Sequence, residues 1–127
     1  MSQLTQDEIK AHHEQLEAKL PPGWTLFKVR DYRGELWDSN TYYGHDSVFI
    51  EVDKDNWFYN HPLRWALAAN KLNLGSVSQI ITSGDNLTGQ WRYYIRVCLY
   101  RTRYTPYIKD ELAKIHDLIM SPRPADW

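Results

Sequence analysis

The residues best suited to chemistry or recognition lie in one segment near the C-terminal end, residues 91–104. Because side chains alternate between the two faces of a β-strand, a strand here places four mainly apolar residues on one face: Tyr93, Ile95, Val97 and Leu99. We expect that face to belong to the core. The other face then carries an aromatic-basic strip, made of Arg92, Tyr94, Arg96, Cys98, Tyr100, Thr102 and Tyr104.

Three kinds of contact could use the aromatic-basic strip. Arginine and tyrosine anchor protein interfaces, and the same mixture stacks bases and neutralises phosphates in proteins that bind single-stranded RNA or DNA. The arginines could instead pair with acids on a neighbouring strand, such as Glu51 and Asp53. The formal net charge of −1 favours protein over nucleic acid, because nucleic-acid-binding domains usually carry an excess of positive charge.

The expected partner is therefore another protein or a second copy of the chain. The predicted partner-binding residues in the strip are Arg92, Tyr94, Arg96, Tyr100 and Tyr104. Segment 31–46 is a second candidate surface, because its turn-forming residues predict a long loop around a short Leu36-Trp37 strand. Long aromatic loops on small domains are often functional, so we add its aromatic residues Trp37, Tyr42 and Tyr43.

The chain has no motif for a bound cofactor or metal and no motif for nucleophilic catalysis. His12 and His13 are adjacent and point about 100° apart on a helix, and no His-x₃-His pair is present. A single cysteine, Cys98, can form neither an internal disulfide nor a cysteine-based zinc site. We predict no catalytic, cofactor or metal residues. One enzyme alternative uses His45 or His61 as an acid–base group with a nearby carboxylate.

Two segments are similar to parts of one enzyme family. Leu4-Thr5 followed by residues 20–24 (LPPGW), together with Asn60-His61-Pro62, resembles the pterin carbinolamine dehydratases, which carry a His-His-Pro signature. Here Asn60 stands at the first, catalytic position of that signature, and a helix-forming run follows it at 63–72. No activity or catalytic residue is therefore transferred from that family.

Size and composition predict one domain over residues 1–127, with a short tail at 121–127. The chain is 43% hydrophobic and 24% charged, as in ordinary globular proteins, and it is unusually aromatic, with six Trp, nine Tyr and three Phe. No apolar run approaches the roughly 20 residues that span a bilayer, and no signal peptide is apparent. We expect a cytoplasmic protein without a membrane partner.

Local signals predict the order α-β-β-β-α-β-β-α. A capping box at Thr5-Gln6-Asp7-Glu8 marks the start of the first helix. Asn60-His61-Pro62 marks the start of the second helix, and Thr105-Pro106 marks the start of the third. Strands are expected over 24–30, 36–37, 47–53, 76–82 and 90–104, with the chain returning through 57–59 after a turn. The predicted fold class is α+β, with a mainly antiparallel sheet of four or five strands and three helices in two layers. The predicted function is a non-enzymatic protein-interaction, assembly or inhibitor module.

Overall fold

The computed structural model describes residues 4–86, 88–99 and 107–126, apart from the side chains of Asn40 and Tyr42. These residues form four strands and five helical segments. Their order is α1 (Gln6–Glu17), β1 (Thr25–Leu26), α2 (Ser39–Tyr43), β2 (Asp46–Val52), α3 (Trp57–Asn60), α4 (Arg64–Lys71), β3 (Val77–Asp85), β4 (Arg92–Leu99) and α5 (Ile108–Met120).

The four strands form one antiparallel sheet in the order β1-β2-β4-β3. β2 pairs with β4 from Asp46 opposite Leu99 to Val52 opposite Tyr93, and β3 pairs with β4 as the expected antiparallel hairpin. The α+β prediction is confirmed. The three longer helices, α1, α4 and α5, correspond to the three helices expected from the sequence.

The core lies between one face of the sheet and the helices. Its strand residues alternate along the chain, as Val48, Ile50 and Val52 do on β2, and Ile95, Val97 and Leu99 do on β4. From the helical side, the core receives Leu16 of α1, Phe58 of α3, Ala68 of α4 and Ile108, Leu112, Ile115 and Ile119 of α5. Burying each large aliphatic or aromatic side chain contributes about 1.5–3 kcal/mol, so this face fixes the two-layer arrangement.

Capping and apolar spacing correctly predicted the first and last helices. The Thr5 side chain accepts a hydrogen bond from the Glu8 amide, and the Glu8 side chain accepts from the Thr5 amide, so the capping box is complete. In α5, the helical spacing of Ile108, Leu112, Ile115 and Ile119 puts them on one face, and all four are fully buried or nearly so. Residues 100–106, which include the end of the predicted last strand and Thr105-Pro106, lie outside the described residues.

Segment 57–59, through which the chain was expected to return after a turn, is part of a helix, α3 (Trp57–Asn60). The side chain of Asn56 accepts a hydrogen bond from the Tyr59 amide at 2.9 Å and thereby caps α3. Phe58 is completely buried, and the Trp57 indole donates to the Ser121 carbonyl at 2.7 Å. These caps and tertiary contacts outweigh the intrinsic strand preference of three consecutive aromatic residues.

The predicted long loop at 31–46 also contains a helix, α2 (Ser39–Tyr43). The short strand expected at Leu36-Trp37 is reduced to an isolated bridge between Leu36 and Arg30. The first strand is regular only over Thr25–Leu26, although the Phe27 amide continues the pairing by donating to the Ser47 carbonyl at 2.8 Å.

The second predicted helix begins later than its sequence signals suggested. His61 precedes a proline and is extended, as such residues usually are. The chain therefore becomes helical again only at Arg64. The buried face of α4 consequently contains Ala68, whereas Leu63, which immediately precedes the helix, is 61% exposed.

Candidate functional site

The sheet face opposite the core carries the residues that were singled out on β4. Arg92, Tyr94 and Arg96 point to this side, away from Ile95, Val97 and Leu99. All three longer helices contribute their buried side chains to the other side of the sheet. We call the exposed or half-buried residues on this side the open face: Phe27, Phe49, Glu51, Ile81, Ser83, Asp85, Arg92, Tyr94 and Arg96.

Neighbouring strands bring these side chains together from distant parts of the sequence. Arg96 lies opposite Phe49 of β2 and Ile81 of β3, and Tyr94 lies opposite Glu51 and Ser83. Side chains directly opposite each other on one sheet face are in contact range. The open face is therefore assembled from β2, β3, β4 and the residue that follows β1.

Arg96 is at the centre of the aromatic part of the open face. Its guanidinium carbon lies 4.7 Å from the centroid of the Phe27 ring, which is a cation–π arrangement. One Nη2 hydrogen bond goes to the Ser47 hydroxyl at 3.2 Å, and the buried Nε atom has no acceptor within the described part of the chain. Among the described residues, no carboxylate lies within 4.0 Å of this guanidinium.

Arg92 is in a different electrostatic position. Its Nη1 atom lies 3.9 Å from Glu51 Oε2, with both side chains about half exposed. Asp85 is its cross-strand neighbour on β3. The structural pairing that was considered for the arginines is therefore present for Arg92, although a long, exposed pair of this kind contributes little to stability.

A shallow cleft crosses the open face between its aromatic residues. Its volume is about 270 Å³, and Phe49 and Tyr94 meet edge to face along it with ring centroids 5.3 Å apart. Partial desolvation, together with the negative charges of Asp85 and Glu51, raises the pKa of Tyr94. The cleft is lined by Phe27, Phe49, Ser83, Gly84, Asp85, Tyr94 and Arg96.

Two of the remaining predicted site residues, Trp37 and Tyr43, are described and do not line this cleft. Tyr100, Tyr104 and the side chain of Tyr42 lie outside the described part of the structure. Trp37 is half-buried, whereas Tyr43 at the end of α2 is 51% exposed. Trp37 and Tyr43 therefore remain a second candidate surface beside the open face.

Sequence reasoning missed Phe27 and Phe49 as site residues. Their alternation was visible, because Phe49 shares a face with Glu51, and Phe27 shares one with Thr25. Their proximity to Arg96 depends on the pairing of β2 with both β1 and β4. Local spacing carries no signal of that pairing.

The histidines lie in several different environments. His12 Nε2 is 2.9 Å from Oδ2 of the buried Asp46, which joins α1 to β2. His13 is almost fully buried, and burial lowers its pKa. Burial, and next the positive charge of Arg96, also lower the pKa of His45.

The motif Asn60-His61-Pro62 has a structural role. His61 Nδ1 accepts a hydrogen bond from the Leu63 amide at 3.1 Å, and its ring meets Trp57 edge to face. The Asn60 amide group donates to the carbonyls of Lys54 and Asn56. His61 therefore lies at the junction of α3 and α4, whereas His45 immediately precedes β2.

Two further features of the described residues concern metals and membranes. No group of three or more His, Cys, Asp or Glu side chains within residues 4–86, 88–99 and 107–126 converges as metal ligands would. Over the same residues, no helix combines the length and apolar character needed to span a bilayer.

The comparisons with known proteins give no further guide to the site. No protein-family model matches the chain, and neither the curated proteins nor the solved structures include a match to it.

Proposed function

We propose that the protein is a non-catalytic interaction module that binds a protein partner through the open face. One observation carries this proposal: within the described part of the chain, α1, α3, α4 and α5 send core side chains to one side of the sheet, and the other side has a cleft lined by aromatic rings and Arg96. Within the described part of the chain, that guanidinium has an aromatic ring and one hydroxyl as partners and no carboxylate. Arginine and aromatic side chains of this kind dominate the binding energy of protein interfaces.

A partner that covers the open face would strengthen its internal contacts. A cation–π pair contributes about 0.5–1 kcal/mol when exposed and about 2 kcal/mol or more when desolvated. Excluding water from Arg96 and Phe27 therefore favours binding. The guanidinium also has five N–H donors, one of which is used in the described contacts, so a partner can supply acceptors for the others that remain accessible.

The charges of the open face favour a protein over single-stranded nucleic acid. Arg92 and Arg96 are balanced by Glu51 and Asp85 on the same face. Phosphate binding requires a surplus of positive charge and becomes weaker as salt is added. A face with little net charge that carries aromatic rings and arginine instead resembles a protein interface, where aromatic residues and Arg are enriched.

The test is capture of partners from an extract of the natural source, using three immobilised proteins. The wild type is compared with Phe27→Ala/Arg96→Gln, which changes the open face, and with Leu63→Ala/Met120→Ala, which changes two exposed residues of the helical layer. We expect the same captured proteins with the wild type and the helical-layer variant, and their loss with the open-face variant. Circular dichroism melting verifies that all three proteins are folded.

Nuclease treatment of the extract separates the two classes of partner. Capture that survives nuclease and depends on Phe27 and Arg96 supports the proposal. If capture is lost on nuclease treatment, the single-stranded nucleic-acid alternative replaces it. If the open-face variant captures the same proteins as the wild type, the open face is not the binding surface.

A further inference from the structure

Tyr32 is the most exposed large hydrophobic side chain in the described residues. It lies at the tip of a tight hairpin over residues 30–36, and 95% of its surface is accessible. Its aromatic contact is the guanidinium carbon of Arg33, 5.7 Å from the ring centroid. A ring held this far into water gains almost nothing from the fold.

The turn that carries Tyr32 is nevertheless held firmly. Asp31 Oδ1 accepts hydrogen bonds from the backbone amides of Arg33 (2.8 Å) and Glu35 (3.1 Å). Gly34 has a φ of +81°, a conformation that favours glycine, and its amide donates to the Asp31 carbonyl at 3.0 Å. The hairpin therefore has one defined shape before any contact is made.

The base of the hairpin is fixed to the body of the domain. The Gln6 side chain on α1 donates to the Leu36 carbonyl at 2.8 Å and accepts from the Leu36 amide at 2.9 Å. Leu36 itself is buried, and its bridge to Arg30 closes the hairpin. Tyr32 is thus mounted on α1 through a short series of hydrogen bonds.

The charges of the hairpin are largely satisfied within it. The Arg33 guanidinium bonds to Asp31 and Glu35, each at 3.1 Å, and Arg30 donates to the Gly34 carbonyl at 2.7 Å. The phenol of Tyr32 is therefore the main group that the hairpin offers to a partner. A preorganised aromatic anchor loses little conformational freedom on binding.

The cleft of the open face matches a phenol in size and chemistry. A cavity of about 150 Å³ is large enough to bind benzene, and this cleft measures about 270 Å³. Phe27 and Phe49 form its apolar walls, Arg96 supplies a cation for a ring face, and Asp85 supplies an acceptor for a hydroxyl. Tyrosine uses all three kinds of contact.

From this complementarity we propose that Tyr32 of one copy inserts into the open-face cleft of a second copy. The inference rests on the proposed function and identifies one partner of the open face as the chain itself. Because the hairpin and the cleft are different patches, the contact is heterologous, and each copy carries one donor and one acceptor surface. The contact is small, so association is expected at high micromolar concentration.

Sedimentation equilibrium tests the contact directly, over concentrations from about 10 µM to about 1 mM. The wild type should show a weight-average mass that rises with concentration. Tyr32→Ala should weaken association at least tenfold, and Ser83→Arg, which places a long side chain in the cleft, should do the same. Leu63→Ala removes a comparably exposed apolar side chain elsewhere and should associate as the wild type does.

Mixing the two defective variants gives the decisive result. Tyr32→Ala retains an intact cleft and Ser83→Arg retains an intact hairpin, so together they can form one contact and no more. We expect each variant alone to be monomeric and their mixture to give a dimer of one copy of each. A mixture that remains monomeric overturns the inference, and so does a wild type that is monomeric throughout.

These experiments can contradict one of the two proposals without contradicting the other. If the wild type remains monomeric while Phe27 and Arg96 are still needed to capture a protein from the extract, self-association is wrong and the proposed function stands. If Tyr32→Ala associates as strongly as the wild type, the hairpin is not the anchor, whatever the open face binds.

Discussion

The guanidinium of Arg96 on β4 covers the ring of Phe27, which follows β1, and the two residues lie on opposite sides of β2 in the sheet. The Arg96 side chain reaches across β2 and donates to the hydroxyl of Ser47 at 3.2 Å on the way. The contact therefore joins three strands on the open face. The strength of the Arg96–Phe27 contact can be measured apart from the burial of each side chain.

A double-mutant cycle should detect the Arg96–Phe27 contact. Phe27→Leu and Arg96→Met remove the ring and the charge while retaining apolar bulk. We expect the two changes to be non-additive by about 0.5–1 kcal/mol in the free energy of unfolding, the usual strength of an exposed cation–π pair. Urea unfolding of the four proteins measures it.

The matched control is a second double-mutant cycle, in which Arg92 is changed instead of Arg96. Arg92 lies on the same strand and the same face. Arg92 pairs with Glu51 rather than with an aromatic ring, so Arg92→Met and Phe27→Leu should have additive effects. Equal coupling in both cycles would mean that the effect is general to positive charge on the open face.

Asp46 should be the most sensitive acid in the described part of the chain. It is 1% exposed, and its Oδ2 atom lies 2.9 Å from His12 Nε2. Removing the carboxylate abolishes this contact and leaves a polar ring nitrogen that the fold has partly desolvated, which costs about 1–3 kcal/mol. Asp46→Ala should therefore lower the free energy of unfolding by roughly that amount in urea titrations.

Asp55→Ala provides the comparison for Asp46. Asp55 is an exposed acid in the turn after β2, and exposed substitutions usually change stability by less than about 0.5 kcal/mol. If the two variants were equally stable, the His12–Asp46 pair would not be holding α1 to the sheet.

Much of the fold was predictable because its signals are local. The capping box of α1, the apolar face of α5 and the alternation of β2 and β4 each depend on residues within one element. For the candidate site, the same alternation placed Arg92, Tyr94 and Arg96 together on one face. These features follow from the periods of helices and strands alone.

The parts that were missed depend on contacts between distant segments. Asn56 caps α3 and Phe58 fills the core, so residues 57–59 become a helix despite their β-forming side chains. Phe27 meets Arg96 only because β2 lies between β1 and β4. The exposure of Tyr32 depends on hydrogen bonds between α1 and the hairpin, which spacing along the chain does not reveal.

The buried His13 should make the domain less stable in mild acid. Burial lowers its pKa more than the negative charge of Asp46 raises it, while His12 and Lys28 lower it further and Glu17 raises it. Its folded pKa is therefore below the ordinary value of about 6.5. Below that value the unfolded chain binds the proton more readily, so stability present above about pH 6.5 is lost as the pH falls towards the folded pKa.

Urea unfolding at several values between about pH 7.5 and pH 5 measures this dependence. His13→Gln should flatten it, although His45, whose pKa is also lowered, contributes in the same direction. A His13→Gln protein with the full wild-type slope would contradict the prediction.

Gly84→Ala on β3 should destabilise the domain when Trp91 is present and stabilise it when Trp91 is replaced by alanine. A Cβ atom at Gly84 would lie 2.8–2.9 Å from three atoms of the Trp91 ring, which is too close for ordinary contact. Gly84→Ala must therefore displace the exposed ring from its place beside Tyr93, with loss of an aromatic contact that contributes about 0.5–1.5 kcal/mol. In a Trp91→Ala background the obstacle is gone, and the lower entropy of the unfolded chain should make the same change stabilising by about 0.4–1 kcal/mol.

The sign change is the informative result, and urea unfolding of the four proteins provides it. Gly75→Ala is the matched control, because its nearest neighbour, Glu111 Oε1, lies at an ordinary 3.5 Å, and Trp91 should not alter its effect. If Gly84→Ala changed stability equally in both backgrounds, the ring would not rest on Gly84. A sign change at Gly84 and none at Gly75 would mean that the strand has glycine there to accommodate the indole.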